Sequence, residues 1–358
     1  MKVLQLIDSL HAGGAERVAV NYSNSLASRI ETSFLCSTRE EGMLKTSLSK
    51  DVQYLFLNKK STLDIKAISK LHRFVKRHKI NIIHAHASSF FIATIIKILN
   101  PEVVLIWHDH YGNSEFLNKR PKKILKICSL FFNHVFFVNT KLKAWAKKNL
   151  HVKSSAFLAN FAVLNITEPI TNLRGEDAKR IVCLANLRPQ KDHITLLKAF
   201  QMVFDKHSDW TLHLIGQDFE DDYSNLIKSY IKMEGLEQNV FIYGSCPDID
   251  YILAQSTIGV LSSKSEGLPL ALLEYGLAEL PVIATNVGDC NKVVSNKDEG
   301  ILVEPKNEKV LAEALLIFIN DPDLKRIVAK NLKHKIVSDF SESSTLETLM
   351  EIYKKHQK

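Results

Sequence analysis

Two glutamates eight residues apart, Glu266 and Glu274, sit within the stretch Ser265-Glu266-Gly267-Leu268-Pro269-Leu270-Ala271-Leu272-Leu273-Glu274-Tyr275-Gly276. The apolar run Gly259 to Leu261 reads as a short strand before it, and the Leu-rich run from Leu270 to Ala278 reads as a helix. The free backbone N–H groups near Leu268, Leu270 and Ala271 then point out of a helix N-terminus, a position suited to phosphate. Carboxylates at this spacing can grip hydroxyls at opposite ends of a ligand whose phosphates rest on the turn between them. Alone, Glu266 is explained as a helix N-terminal acid and Glu274 as a surface helix residue. As a pair in an otherwise apolar helix they point to a ligand.

A second loop supplies positive charge. In Leu184-Ala185-Asn186-Leu187-Arg188-Pro189-Gln190-Lys191-Asp192, Arg188 and Lys191 follow a strand and precede a helix. Two fixed cations there can meet the negative charge that grows on a departing diphosphate, favouring the transition state over the ground state. Gly13-Gly14, the only adjacent glycine pair in the chain, lies between an N-terminal strand and a helix. Alone, such a pair also serves a simple tight turn before a helix.

Trp107-His108-Asp109-His110 and Ile83-His84-Ala85-His86 end two apolar strands. A strand-end histidine can hydrogen-bond sugar hydroxyls. Four histidines and an aspartate also raise metal binding, but no single element carries a regular ligand spacing, so no metal site is assigned. His84 reads as packed against the sheet and His86 as lining an acceptor side. Asp248-Ile249-Asp250 and Asp321-Pro322-Asp323 each open a helix, where aspartate serves as a cap.

These residues need elements to hold them. Short apolar runs at Lys2 to Ile7, Thr32 to Cys36, Val52 to Leu57, Ile80 to His84, Val103 to Trp107 and His134 to Val138 alternate with helical stretches such as Ala15 to Ala27 and Leu63 to His78. A polar segment near 166–178 reads as a linker, and the alternation restarts at Arg180. This predicts an α/β chain with two doubly wound, Rossmann-like parallel-sheet domains, 1–165 and 179–340. A last helix at 341–358 is expected to pack back on the first domain.

Charge divides the same way. Residues 1–165 hold 25 Lys+Arg against 10 Asp+Glu, and residues 166–358 hold 22 against 29. The basic half suits an anionic partner. Clusters such as Lys119-Arg120-Lys122-Lys123-Lys126, beside Phe116 and Phe131, fit an anionic membrane surface, and no nucleic-acid module is recognisable. The five cysteines are scattered without a C-x-x-C pair, and no signal peptide or spanning apolar stretch is visible. A cytoplasmic protein held peripherally at the inner face of the cell membrane is the expectation.

On these motifs the chain resembles the retaining, nucleotide-sugar-dependent glycosyltransferases of family 4, with Glu266 and Glu274 as the E-x7-E motif. The resemblance implies the GT-B fold, in which two such domains face a central cleft. It implies that Glu266 and His108 contact the donor sugar and that Glu274 binds the ribose. It places Arg188, Lys191, Gly13 and Gly14 on the phosphates. Where the family turn reads E-G-F-G, this chain has Leu268-Pro269, a proline tolerated in a first helical turn. The implied enzyme is a metal-independent, retaining hexosyltransferase with a nucleoside-diphosphate sugar (UDP- or GDP-linked) as co-substrate and no cofactor. Its acceptor would be a lipid-linked glycan of surface polysaccharide. The alternatives are a GT-B-like sugar-nucleotide epimerase, or a non-catalytic nucleotide-sugar or nucleic-acid-binding protein.

Overall fold

The computed structural model describes residues 1–164 and 168–357. The chain falls into two compact units, Met1–Phe161 with Glu342–Lys358, and Ala162–Ser341. The first carries strands β1 (Lys2–Ile7), β2 (Thr32–Ser37), β3 (Val52–Phe56), β4 (Ile82–His86), β5 (Val104–Asp109), β6 (His134–Phe137) and β7 (Ser155–Phe157). Its helices are α1 (Gly14–Ala27), α2 (Ile65–His78), α3 (Phe90–Leu99), α4 (Lys123–Cys128) and α5 (Thr140–Asn149), joined by the C-terminal helix described below. The second unit carries β8 (Arg180–Leu184), β9 (Thr211–Ile215), β10 (Val240–Gly244), β11 (Ile258–Leu261), β12 (Val282–Thr285) and β13 (Ile301–Val303). Its helices are α6 (His193–Phe204), α7 (Asp222–Met233), α8 (Ile249–Ala254), α9 (Leu270–Leu277), α10 (Cys290–Val293), α11 (Glu308–Asn320) and α12 (Pro322–Asp339). Helix α13 (Glu342–Gln357) returns to the first unit.

Both sheets are parallel throughout, in the orders β3-β2-β1-β4-β5-β6-β7 and β10-β9-β8-β11-β12-β13. Parallel strands need crossover helices, which cover both sheet faces, so the strands are apolar on both sides. Leu4, Leu6, Ile83 and Leu105 in one sheet, and Ile181, Leu212, Val260 and Ile283 in the other, are fully buried. The strand order reverses between β1 and β4 in the first sheet and between β8 and β11 in the second. In open α/β sheets, ligands bind beyond the carboxyl ends of the strands at such reversals. The loops after β1, β4, β8 and β11 are therefore the places to look.

Strands β4 and β5 run two residues further than their apolar runs suggest. The ladder continues through His84 paired with Ile106 and His86 paired with His108. Tertiary pairing extends the strands over polar residues that hydrophobic pattern alone leaves outside.

Residues 165–167 of the expected domain boundary and linker lie outside the described residues. From residue 168 on, the expected linker is bound to the second unit. The Asp248 carboxylate accepts hydrogen bonds from Ile170 N (2.9 Å), Thr171 N (2.6 Å) and Thr171 Oγ1 (2.8 Å). Asp248 was expected to cap α8, but its side chain makes no cap hydrogen bond there. Asp321 does cap its helix, accepting from Leu324 N at 2.9 Å.

Candidate active site

In the second unit, the reversal between β8 and β11 brings together two loops that are 75 residues apart in sequence. Lys191 Nζ lies 2.5 Å from Glu266 Oε1, with both side chains largely buried. Ser263 Oγ donates to the same carboxylate oxygen at 2.6 Å. The loops are also stitched through their backbones. Lys264 N donates to Gln190 O (2.7 Å) and Ser262 Oγ donates to Lys191 O (3.0 Å). Lys264 Nζ pairs with the buried Asp192 at 2.8 Å. Arg188, on the same loop as Lys191, is exposed, with its guanidinium 4.3 Å from the centre of the Phe219 ring.

Two glycines let neighbouring loops pack closely against these two. A Cβ at Gly216 would stand 2.3 Å from Ala185 O, and one at Gly288 would stand 2.3 Å from Glu266 O. Gly288 also has φ +58, a left-handed conformation that glycine adopts without steric cost. Asp289 N donates to Gly267 O at 2.8 Å, so the turn 266–268 is held from beneath.

Helix α9 starts at Leu270, with Pro269 at the N-cap, one position before the first helical turn expected from sequence. Leu268 and Leu270 are buried, Ala271 is partly exposed, and the first N–H groups of α9 open beside Glu266. Glu274 lies on the same helix and is 6% exposed. The helix is anchored by Tyr275, whose hydroxyl accepts from Leu184 N (2.6 Å) and donates to Val260 O (3.2 Å). One short region of this unit thus holds Arg188, Lys191, Glu266, Leu268, Leu270, Ala271 and Glu274. Ser263 and Tyr275 belong to the same arrangement, but no motif in the sequence marks them.

In the first unit, Gly13 is the N-cap of α1 and Gly14 its first residue. An added Cβ at Gly14 would meet nothing within 4 Å, so packing does not require glycine there and the helix start is open. His108 at the end of β5 is fully buried, and among the described residues neither of its ring nitrogens has a hydrogen-bond partner. Its imidazole lies within a group of rings: His110 at 4.0 Å, His84 at 5.4 Å, His86 at 5.6 Å and Tyr22 at 6.0 Å between centroids. Burial pushes the pKa values of His84, His86 and His108 well below the usual histidine value and that of His110 down to about 3, so these rings are neutral at pH 7. His86 was expected to line an acceptor side, but it is buried and bound on both nitrogens, to His110 Nε2 (3.0 Å) and Gln5 Oε1 (2.8 Å). His84 is packed, with Nδ1 2.6 Å from the Tyr353 hydroxyl of α13.

The residue after His108 is pinned as well. Arg120 donates two hydrogen bonds to Asp109, at 2.7 and 2.8 Å, and its guanidinium lies over Tyr111 (4.4 Å) and Trp145 (4.5 Å). Arg120 is one of the residues in a basic cluster of the sequence, yet here it is buried structure and not surface charge.

Two family models match consecutive parts of the chain: "Glycosyltransferase Family 4" over residues 12–157 and "Glycosyl transferases group 1" over residues 167–335. The chain is a glycosyltransferase of the GT-B fold. An uncharacterized glycosyltransferase of Haemophilus influenzae is 24% identical to this glycosyltransferase over 87% of the chain and 88% of the relative. The UDP-Gal:alpha-D-GlcNAc-diphosphoundecaprenol alpha-1,3-galactosyltransferase of Escherichia coli is 24% identical over 95% and 93%. Among solved structures, Anabaena HepE in complex with UDP and glucose superposes with a TM-score of 0.81 at 18% identity, covering 99% of this chain and 100% of that one. At that identity the likeness establishes the fold.

Proposed function

We propose that this glycosyltransferase is a retaining hexosyltransferase that moves a sugar from a UDP- or GDP-sugar to a hydroxyl of a lipid-linked glycan during surface polysaccharide synthesis. The observation that carries this reading is the Lys191–Glu266 pair at the strand-order reversal of the second unit, with Arg188 beside it and the N-terminus of α9 adjoining. In this reading Glu274 binds the ribose, and Arg188, Lys191 and the first N–H groups of α9 hold the diphosphate. Glu266 contacts the sugar. Two cations and a helix terminus match the diphosphate charge without a divalent ion.

In the transfer step the bond from the anomeric carbon to the diphosphate oxygen breaks. A bond from the same carbon to the acceptor oxygen forms on the same face, and the acceptor proton passes to the leaving phosphate. Donor binding releases Lys191 from Glu266, freeing the cation for phosphate and the carboxylate for the sugar.

The acceptor class is supported by the E. coli relative named above and by a Campylobacter jejuni relative, 22% identical over 98% of both chains, whose name specifies a diphosphoundecaprenol-linked acceptor glycan. No helix among the described residues is long and apolar enough to cross a membrane. The first unit does expose Ile124, Ile127, Leu130 and Phe131 alongside Lys122, Lys123 and Lys126, all on α4 and its flanks. Apolar side chains with lysines around them suit the interface of an anionic leaflet, holding the enzyme at the cytoplasmic face where its acceptor resides.

The test is a panel of UDP- and GDP-sugars, each offered with a lipid-diphosphate-linked acceptor and analysed by mass spectrometry for the product and by NMR for its anomeric configuration. One donor should be consumed with its α-configuration kept. Glu266→Gln and Lys191→Ala should each lower turnover by about 100-fold or more. Product of inverted configuration, or full turnover in both variants, overturns the reading.

A further inference from the structure

We propose that His84, His86 and His108 form a binding site for one divalent transition metal ion, zinc by preference, inside the first unit. The argument starts from unsatisfied groups. Among the described residues, His84 Nε2, both nitrogens of His108 and the Tyr22 hydroxyl are buried without a partner. A buried polar atom left unpaired is costly, and four around one cluster of rings call for an occupant. The potential ligand atoms of the three histidines all lie within 4.8 Å of one another. Three neutral imidazoles are a donor set suited to zinc, and to cobalt, nickel or copper, whereas magnesium and calcium prefer oxygen.

The sheet positions these ligands. His84 and His86 alternate along β4 by two residues, which puts both side chains on one face, and the β4–β5 register sets His108 opposite His86. Around them is a ready set of outer partners. The Tyr353 hydroxyl holds His84 through Nδ1 (2.6 Å), leaving Nε2 for the metal. Gln5 joins this network, donating from Nε2 to Tyr353 at 3.2 Å and accepting at Oε1 from His86. Such partners fix the orientation and tautomer of a ligating histidine. His86 enters the coordination sphere by giving up one of its two hydrogen bonds, to Gln5 or to His110. The Tyr22 ring, centred 5.9 to 6.1 Å from all three imidazoles, places its unpartnered phenol beside the same cluster. The ion would brace β4, β5 and α13 and take no part in carrying the donor diphosphate, which the second unit's cations meet. No one stretch of sequence shows the ligand set, because it arises from two strands.

The experiment uses the untagged full chain. After purification, elemental analysis should find about one equivalent of zinc. After chelation and cobalt titration, visible d–d absorption of a low-coordinate site should saturate at the same stoichiometry. His84→Gln and His108→Gln, each checked for fold by circular dichroism, should lose the cobalt spectrum. Tyr353→Phe should keep it with affinity reduced about 10- to 100-fold. A folded chain that carries no metal and gives no cobalt spectrum overturns the proposal. So does metal bound equally by the wild type and both histidine variants.

Discussion

Lys191 and Glu266 form an ion pair across the strand-order reversal of the second sheet, Nζ to Oε1 at 2.5 Å. It joins the loop after β8 to the loop after β11, and Ser263 Oγ donates to the same carboxylate oxygen at 2.6 Å. The two residues are therefore one device. Lys191→Ala should lower kcat/KM by about 10²- to 10³-fold, the range for loss of one preorganised group that stabilises transition-state charge. It should also lower stability by about 1–3 kcal/mol, because a largely buried carboxylate loses its partner. Steady-state kinetics and urea unfolding check both. Unchanged kcat/KM would remove Lys191 from the site.

Gly288→Ala tests whether the turn beneath Glu266 sets activity. The added methyl meets Glu266 O and Gly267 O, both backbone atoms, at a left-handed φ of +58. A displacement near 1 Å can cost about 100-fold in rate. A fall of more than about 10-fold in donor turnover is expected, in a variant whose circular dichroism remains native. If turnover stays at the parent level, the turn tolerates movement and the geometry of Glu266 is not critical.

Much of the second unit was legible from pattern. The strand bounds Arg180–Leu184 and Thr211–Ile215 coincide with the apolar runs. The Glu266 and Glu274 spacing marked the turn and the helix that carry them because the two are contiguous in sequence. What stayed hidden depends on distant pairing. Arg120 read as one lysine-cluster cation among many, yet it is buried on Asp109 and two aromatic rings. The Gln5, Tyr22, His84 and Tyr353 neighbourhood joins β1, α1, β4 and α13, and no local periodicity brings those four together. Asp248 looked like a cap because caps are a local rule, but the segment 170–171 outcompeted the helix for its carboxylate. Strand ends at His86 and Asp109 were missed for the same reason, since the ladder continues where the apolar pattern stops.

Acid should weaken the fold before it protonates ordinary carboxylates. Burial lowers His213 to about 3 and His193 and His134 to about 4, with Arg180 adding to the effect at His213, Lys191 at His193, and His356, Lys355 and Lys143 at His134. The Ala185 backbone and the Asp192 charge oppose the shift at His193. The unfolded chain takes up these protons near pH 6.5 and the native chain does not, so stability is complete above about pH 7 and falls as pH drops toward 4. Each fully unprotonated ring contributes about 1.4 kcal/mol per pH unit over that window. Urea midpoints at pH 7.5, 6.0 and 5.0 should fall in that order, and His213→Gln should flatten the slope. Equal midpoints across the series would show that these imidazoles titrate in the native state.

Arg120 holds the segment after β5 through a paired and ring-stacked guanidinium that is 6% exposed, opposite an Asp109 that is 1% exposed. Removing one partner of such a buried pair costs about 3–5 kcal/mol because the other charge is stranded. Arg120→Met should therefore destabilise the first unit by that amount, and Asp109→Asn with Arg120→Met should recover part of it. A double-mutant cycle by urea unfolding measures the coupling. A sum of two independent losses would mean that the ring contacts, and not the ion pair, hold the segment.

The proposed membrane attachment through α4 and its flanks can be tested apart from catalysis. Ile124, Ile127 and Leu130 are 57%, 64% and 52% exposed, an unusual display for branched apolar side chains on a short helix and the turn after it, and Lys122, Lys123 and Lys126 are exposed with them. Each lysine near an anionic surface contributes about 1 kcal/mol, an attraction screened within about 10 Å at 0.1 M salt. Vesicles containing phosphatidylglycerol should bind the chain at low salt and release it progressively as salt rises, whereas neutral vesicles should bind weakly throughout. Ile127→Ser with Leu130→Ser should weaken binding at every salt concentration, because insertion is lost. Replacing the three lysines with glutamine should instead remove the salt dependence. Binding that ignores lipid charge, or that survives both sets of substitutions, would place the contact elsewhere on the molecule.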